Sequence, residues 1–394
     1  MQDVQPSPRN ASAHGAPQRN AALFACPRIS ACRRSGLPWS HTHEREYERA
    51  RNLYARHLTL RGVSASLRYR AAWWVPGAHL RTLWGKLIRS REHVPTRHER
   101  WDTPDGDFID LERLGGCEAG ARLVILHGLE GSAQSHYARG LLAAARRRQW
   151  AADVLVFRSC GDEPNRLLRS YHSGETSDLD FLVRRLIDAN PHQPLVLTGV
   201  SLGGNVLLKW LGELGSQTPP QVVAAATISV PFDLARGSRH LQRGFSRLYE
   251  SYFLRSLRKK AMGKATRFPG ALDPIAISRA ATLWDFDDAV TAPINGFRDA
   301  KDYYDKSSSI HWLSRVRVPT LLLNAVDDPF LPSTVLDEVR AIARTNPALQ
   351  VEFVAKGGHA GFISGVVPWR PTYYAEARTI EYLAAALADR PTDQ

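Results

Sequence analysis

Cysteine is scarce in this chain: four residues among 394, Cys26, Cys32, Cys117 and Cys160, with no C-x-x-C pair and no regular spacing. That pattern excludes a disulfide framework and a cysteine-based zinc site, and it fits a reducing compartment, so a cytoplasmic location is expected. Long apolar runs are also missing. Val222 to Ile228 is strand-sized, and no run approaches the roughly 20 residues a membrane helix requires. The stretch AALFAC after Arg19 is too short for the apolar region of a signal peptide. Acidic residues are deficient in one region only. Residues 1–100 hold 18 Lys and Arg against 6 Asp and Glu, whereas the remaining 294 residues are nearly balanced. The formal charge of +13 therefore belongs to the N-terminal quarter rather than to the body of the chain. Without zinc-finger spacing or an RNA-binding signature, no nucleic-acid partner is expected, and at most weak, salt-sensitive membrane contact through that basic segment. No H-E-x-x-H or comparable cluster occurs, so neither a metal nor a cofactor is implied.

Residues 1–65 read as a basic extension, disordered to about residue 40 and then helical over HTHEREYERARNLYARHL. A lead-in with Trp73, Trp74 and Trp84 follows, and packing of those rings on the core is expected in preference to a membrane interface. From Arg122 onward, short β-branched or leucine-rich runs (LVILHG, DVLVFR, PLVLTG, VVAAATIS, TLLLNA, QVEFVAK) alternate with segments whose apolar residues recur every three or four positions. Alternation of that kind predicts an α/β fold with a mostly parallel, doubly wound sheet. Between Phe232 and about Trp312 the strand pattern stops and a polar, aromatic-rich helical stretch replaces it. The expected organisation is a core of 66–231 and 311–390 with a helical cap insertion at 232–310 over the carboxyl ends of the strands, where open α/β sheets bind ligands.

Chemistry is concentrated at Gly199-Val200-Ser201-Leu202-Gly203, a G-x-S-x-G motif with a strand before it and a helix after it. In such an elbow the serine is a candidate nucleophile. A serine hydroxyl needs a base within hydrogen-bond reach, and the base needs a carboxylate that fixes its tautomer. His359, in the glycine-flanked loop KGGHAGF after the last strand, is the candidate base. The acid is expected after the preceding strand, where LLLNAVDDPFLP offers two neighbours: Asp328, favoured by Pro332 four residues on, and Asp327 as the alternative. Oxyanion donors are expected in the backbone N–H of Leu202, directly after the nucleophile, and of Leu129 in His127-Gly128-Leu129-Glu130-Gly131. His127 itself reads as loop-shaping, and Cys160, with no evident cationic neighbour, as structural. No H-x-x-x-x-D acyltransferase signature is present.

Taken together, HGLEGSAQSHYARGLL, FRSCGDEPNRLLRSYHSGETSDLDFL, GVSLGGNVLLKWLGE, LLLNAVDDPFLP and GGHAGF resemble the YheT-like branch of the α/β-hydrolases, related to the plant embryogenesis-associated hydrolases. The resemblance runs from about Trp73, through VPGAHLRTLW and TPDGDFIDLE, to near residue 385. It implies an α/β-hydrolase fold, a triad of Ser201, Asp328 and His359, and hydrolysis of a small-molecule carboxylic ester. One departure stands out: Phe157-Arg158-Ser159-Cys160-Gly161-Asp162-Glu163-Pro164-Asn165 occupies the place of an expected F-R-G-C-S-G-E-P-N. Bulk at Ser159 and charge at Asp162 are expected to alter the cleft rim. The alternative function is a non-catalytic hydrolase-fold protein that binds a lipid-like ligand beneath its cap.

Overall fold

All six runs expected as strands lie side by side in one eight-stranded sheet. The computed structural model describes residues 68–389 apart from 91, 118 and 119. The expected extension, with its helix over residues 41–58, lies outside the described residues. In chain order the elements of the core are helix α1 (Ala78–Leu87), strands β1 (Arg97–Asp102), β2 (Phe108–Leu114) and β3 (Arg122–Leu126), and helix α2 (His136–Arg147). Strand β4 (Ala151–Val156), helix α3 (Ser177–Ala189), strand β5 (Leu195–Val200), helix α4 (Leu202–Leu214) and strand β6 (Val222–Ile228) follow. The sheet order is β1-β2-β4-β3-β5-β6 and then the two strands that follow the cap. From β4 onward neighbours are parallel, while β1 and β2 pair antiparallel with each other and β2 pairs antiparallel with β4.

The cap is helical throughout. Its main elements are α5 (Leu234–Leu241), α6 (Ser246–Arg267) and α7 (Ala300–Ser307), with short helices at Pro274–Arg279 and Leu283–Phe286 between the last two. It has an apolar centre of its own, built from Leu241, Tyr249, Leu254, Ile277, Leu283, Phe286 and Val290. A π-turn, Asp287–Thr291, interrupts its helices. The chain then returns to the sheet as β7 (Thr320–Ala325), α8 (Ser333–Thr345) and β8 (Leu349–Val354), and ends on α9 (Tyr374–Ala388) after a small hairpin at Ile363–Ser364 and Thr372–Tyr373. Among the described residues no helix is long and apolar enough to cross a membrane.

The alternating side chains of the strands divide the core. Val124, Leu126 and Leu197 face α3, α4 and α8, whereas Leu123, Ile125 and Val196 face α2 and α9. A strand covered on both faces has no polar side, which is why these strands read as continuous apolar runs. β1 and β2 carry charge instead, and their ion pairs accommodate it: Arg100 Nε lies 2.7 Å from buried Asp110, and Arg113 Nε 2.8 Å from buried Asp153 on β4. The lead-in differs in one respect from expectation. Trp74 and Trp84 pack together, with ring centroids 4.9 Å apart, beside Ala72, Val75 and Ile363. Trp73, however, is 77% exposed, held only by its edge as Nε1–H donates to Val366 O. Trp73 and Trp74 are the two central residues of a turn closed by Val75 N–H donating to Ala72 O at 3.3 Å, and only Trp74 turns its ring toward the core.

Gly212 offers a test of how closely the layers approach. A Cβ there would sit 2.5 Å from Trp312 O. Gly→Ala within an ordinary exposed helix stabilises by about 1 kcal/mol. Here Gly212→Ala is expected to destabilise by about 1–3 kcal/mol, because neither backbone can yield without cost. An unchanged or higher urea midpoint would contradict this packing.

Candidate active site

Strand β5 meets helix α4 with no intervening loop, so the residue at the junction must turn sharply. Ser201 does so at φ 54 and ψ −121, outside the regions normal for a side-chain-bearing residue. Glycines on both sides permit the turn. A Cβ on Gly199 would lie 2.4 Å from Gly203 O, and one on Gly203 would lie 2.5 Å from Leu126 O and His127 O. The turn lifts the Ser201 side chain above the sheet at the N-terminus of α4, where unpaired N–H groups and the helix dipole favour negative charge.

His359 and Asp328 meet it there. His359 Nε2 is 2.9 Å from Ser201 Oγ, and His359 Nδ1 is 2.9 Å from Asp328 Oδ2 and 3.1 Å from Oδ1. Asp328 is buried, and its Oδ1 also accepts the Phe330 N–H at 2.8 Å. The Phe330 ring stacks on the imidazole at 3.9 Å and 6°. The histidine is thus held by its edge and its face at once.

Asp327 points elsewhere. Its Oδ1 accepts the N–H groups of Gly357 and Gly358, at 2.7 and 2.9 Å, and its Oδ2 faces Arg81 Nη1 of α1 at 3.3 Å. It anchors the histidine loop rather than touching the imidazole. Helix α1 contributes a second tie, since His359 N–H donates to Thr82 Oγ1 at 2.9 Å, and Gly358, at φ 66, fits against Ala78 O. Ser229 Oγ completes the cradle by accepting the Ala360 N–H. Sequence reasoning missed Arg81 and Thr82, although VPGAHLRTLW marked the segment that carries them.

The loop after β3 lies against the serine: a Cβ on Gly128 would stand 3.3 Å from Ser201 Cβ. Gly128 N–H donates to Tyr137 Oη and Glu130 N–H to Tyr171 Oη, each at 2.9 Å, so the N–H of Leu129 lies between two that are already engaged. Leu129, Ser201 and Leu202 line one cavity. His127 is fully buried and shapes the loop, with Nδ1 2.8 Å from Gly128 O and Nε2 accepting the Phe157 N–H at 3.1 Å. Burial lowers its pKa to about 4, so the ring is neutral near pH 7.

Glu130, at φ 52, ties this loop to the cap. Its carboxylate accepts Tyr171 Oη–H at 2.9 Å and Lys260 Nζ at 2.8 Å, and also bonds Ser256 Oγ; Ser256 and Lys260 both belong to α6. Lys260 Nζ is also 3.8 Å from Cys160 Sγ, a cationic neighbour that the sequence did not reveal. Burial nevertheless dominates there and pushes the thiol up to about 12, leaving it protonated.

Two cavities meet at Ser201. One runs beneath the cap between Leu234, Leu241, Leu257, Phe286, Val290 and Ile294. The other is an open groove between α1 and α6, lined by Thr82, Lys86, Leu87, Phe245, Leu248 and Tyr252. Ser159, in the place of an expected glycine, has a φ of 67, the region glycine favours, and lines the cavity beneath the cap. Asp162 is exposed and lines neither space. Next to Ser159, buried Arg158 is held by Asp178 and Asp105, each at 2.7 Å, which fixes the start of the loop.

An eight-stranded, mostly parallel sheet with a serine at the strand-to-helix elbow is the architecture of an α/β hydrolase, and a family model described as "alpha/beta hydrolase fold" matches residues 121–366. The chain belongs to that family, in its YheT-like branch. YheT of Escherichia coli (strain K12), whose name marks it as a candidate esterase, is 39% identical over 315 residues, covering 78% of this chain and 91% of that protein. Phospholipase ABHD3 of Mus musculus is 31% identical, covering 74% of this chain and 72% of its own. The embryogenesis-associated protein EMB8 of Picea glauca is 27% identical, with 75% and 68% covered. The protein is a hydrolase.

The different partners of the two aspartates generate a prediction. Asp327→Ala leaves the Arg81 guanidinium, 6% exposed, without its carboxylate and two loop N–H groups without their acceptor. A loss of about 2 kcal/mol or more in urea unfolding is expected. A wild-type midpoint would remove Asp327 from the support of the loop.

Proposed function

We propose that the protein hydrolyses carboxylic esters through an acyl-enzyme on Ser201. The observation that carries this reading is the continuous relay from Ser201 Oγ through His359 to Asp328, with both links at 2.9 Å. His359 Nε2 takes the hydroxyl proton as Oγ attacks the ester carbonyl carbon, and the carbonyl π electrons move onto oxygen. The oxyanion is met by the N–H groups of Leu202 and Leu129, each such donor being worth on the order of 10² to 10³ in rate. Collapse of the tetrahedral intermediate expels the alcohol, which takes the proton from His359. Water then attacks the acyl group by the same route and frees the acid. Asp328 holds Nδ1–H so that Nε2 is free to accept, and it stabilises the imidazolium as it forms.

The cavities support a division of the substrate. The space under the cap, whose walls are largely apolar although Lys264, Asp287 and Asn295 also line it, suits the acyl chain, and the groove between α1 and α6 suits the alcohol portion. The names of the relatives, a candidate esterase and a phospholipase, favour an ester bond as the target.

A fluorophosphonate probe is expected to label the protein, and Ser201→Ala is expected to abolish labelling; equal labelling of both would remove Ser201 from the mechanism. Asp328→Asn should lower kcat by about 10⁴ through the wrong imidazole tautomer, with much less effect from Asp327→Asn. The reverse ranking would transfer the acid's role to Asp327. Steady-state rates on a chromogenic ester before and after EDTA are expected to agree, since every group in the scheme comes from the chain.

A further inference from the structure

The open groove has an unusual rim. On one side, helix α1 ends with Lys86, Leu87 and Ile88; on the other, α5, α6 and the turn between them carry Phe245, Leu248 and Tyr252 outward. Leu87, Ile88, Phe245, Leu248 and Tyr252 are 47–69% exposed, although side chains of this kind are normally buried. Lys86 Nζ lies 3.5 Å over the Tyr252 ring, and the His79 and Phe245 rings are 4.5 Å apart, so the two sides form one surface around the mouth.

Unpaired charge on that surface is basic: Glu130, which lines the groove, is nearly buried and pairs with Lys260, and Glu92, beyond Ile88, faces Arg89. Residues 234–267 hold ten Lys and Arg and one acid, Glu250, which is buried; residues 68–90 hold no acid at all. Arg247, Arg255 and Lys259 are exposed on α6, and among the described residues none of them forms an ion pair. Exposed apolar side chains interleaved with unpaired cations match the layering of an anionic bilayer surface, where apolar groups enter the headgroup and acyl boundary and cations meet phosphates. A second copy of the same rim fits poorly, because two such faces would bring like charges together.

We propose that this rim docks on an anionic lipid surface, with Leu87, Ile88, Phe245, Leu248 and Tyr252 entering the interface and Arg247, Arg255 and Lys259 contacting lipid phosphates. Docked in this way, the groove that leads to Ser201 opens onto the membrane, and an ester held in the bilayer reaches the serine without crossing water. The contact is made by the folded body of the protein rather than by the basic N-terminal segment.

The test is co-sedimentation of the full chain, carrying Ser201→Ala to prevent turnover, with phosphatidylcholine vesicles containing or lacking phosphatidylglycerol. Binding is expected to require phosphatidylglycerol and to weaken as salt screens the charges. The triple variant Arg247→Gln, Arg255→Gln, Lys259→Gln is expected to bind about 100-fold more weakly, and Ile88→Ser to bind measurably less. In the Ser201 background, the triple variant should hydrolyse a short water-soluble ester at the wild-type rate and lose turnover of a vesicle-borne ester. Undiminished binding of the triple variant would place the contact on the N-terminal segment and overturn the proposal. Binding indifferent to phosphatidylglycerol, or rim-dependent self-association in place of vesicle binding, would overturn it as well. Because binding is read on a protein lacking Ser201, its outcome is independent of the proposed ester chemistry.

Discussion

The backbone turn at Ser201 constrains everything around it. A side-chain-bearing residue at φ 54 is disfavoured, and it persists because β5 and α4 are both locked into the core around it. Strand β5 is buried along its whole length, and ten of the thirteen residues of α4 are buried. The near-contact distances at Gly199 and Gly203 show that strand, helix and the end of β3 converge on one point with no room for a methyl group. One strained junction thus sets the height of the hydroxyl, the direction of the α4 N-terminus and the position of the loop that begins at His127.

Around that point, neighbouring residues divide their labour by direction. Asp327 and Asp328 follow β7 after a single residue, Val326, yet one turns to the loop backbone and Arg81 while the other turns to the imidazole. Helix α1, from a segment that precedes the sheet altogether, reaches across to fasten the far side of the same loop through Arg81 and Thr82. The histidine position is therefore defined by contacts from four stretches of chain that are remote in sequence.

What could be read beforehand follows from burial and local backbone chemistry. The parallel strands and their helices were legible because two-sided burial leaves an unbroken apolar signature, and Ser201 because its turn demands glycines. His359 and Asp328 were legible because loops after successive strands of such a sheet converge at one edge. β1 and β2 were not: their charged residues look like loop, and only the ion pairs with Asp110 and Asp153 make burial tolerable. The exposure of Trp73 and the ties of Glu130 to α6 were hidden as well, since both depend on contacts between residues more than a hundred positions apart.

Those ties join two parts that are usually described separately. The Glu130 carboxylate is nearly buried, and its partners are Tyr171 from the core and Ser256 and Lys260 from the cap. If α6 moved away alone, it would strand a desolvated anion with most of its donors gone, a loss that buried charges resist strongly. Roof and floor of the cavity beneath the cap are in this sense one mechanical piece. A guest too bulky for the space under the roof therefore pushes directly on the strand-end loop that holds Leu129, so the shape of the cavity and the alignment of its backbone donors are registered by the same carboxylate.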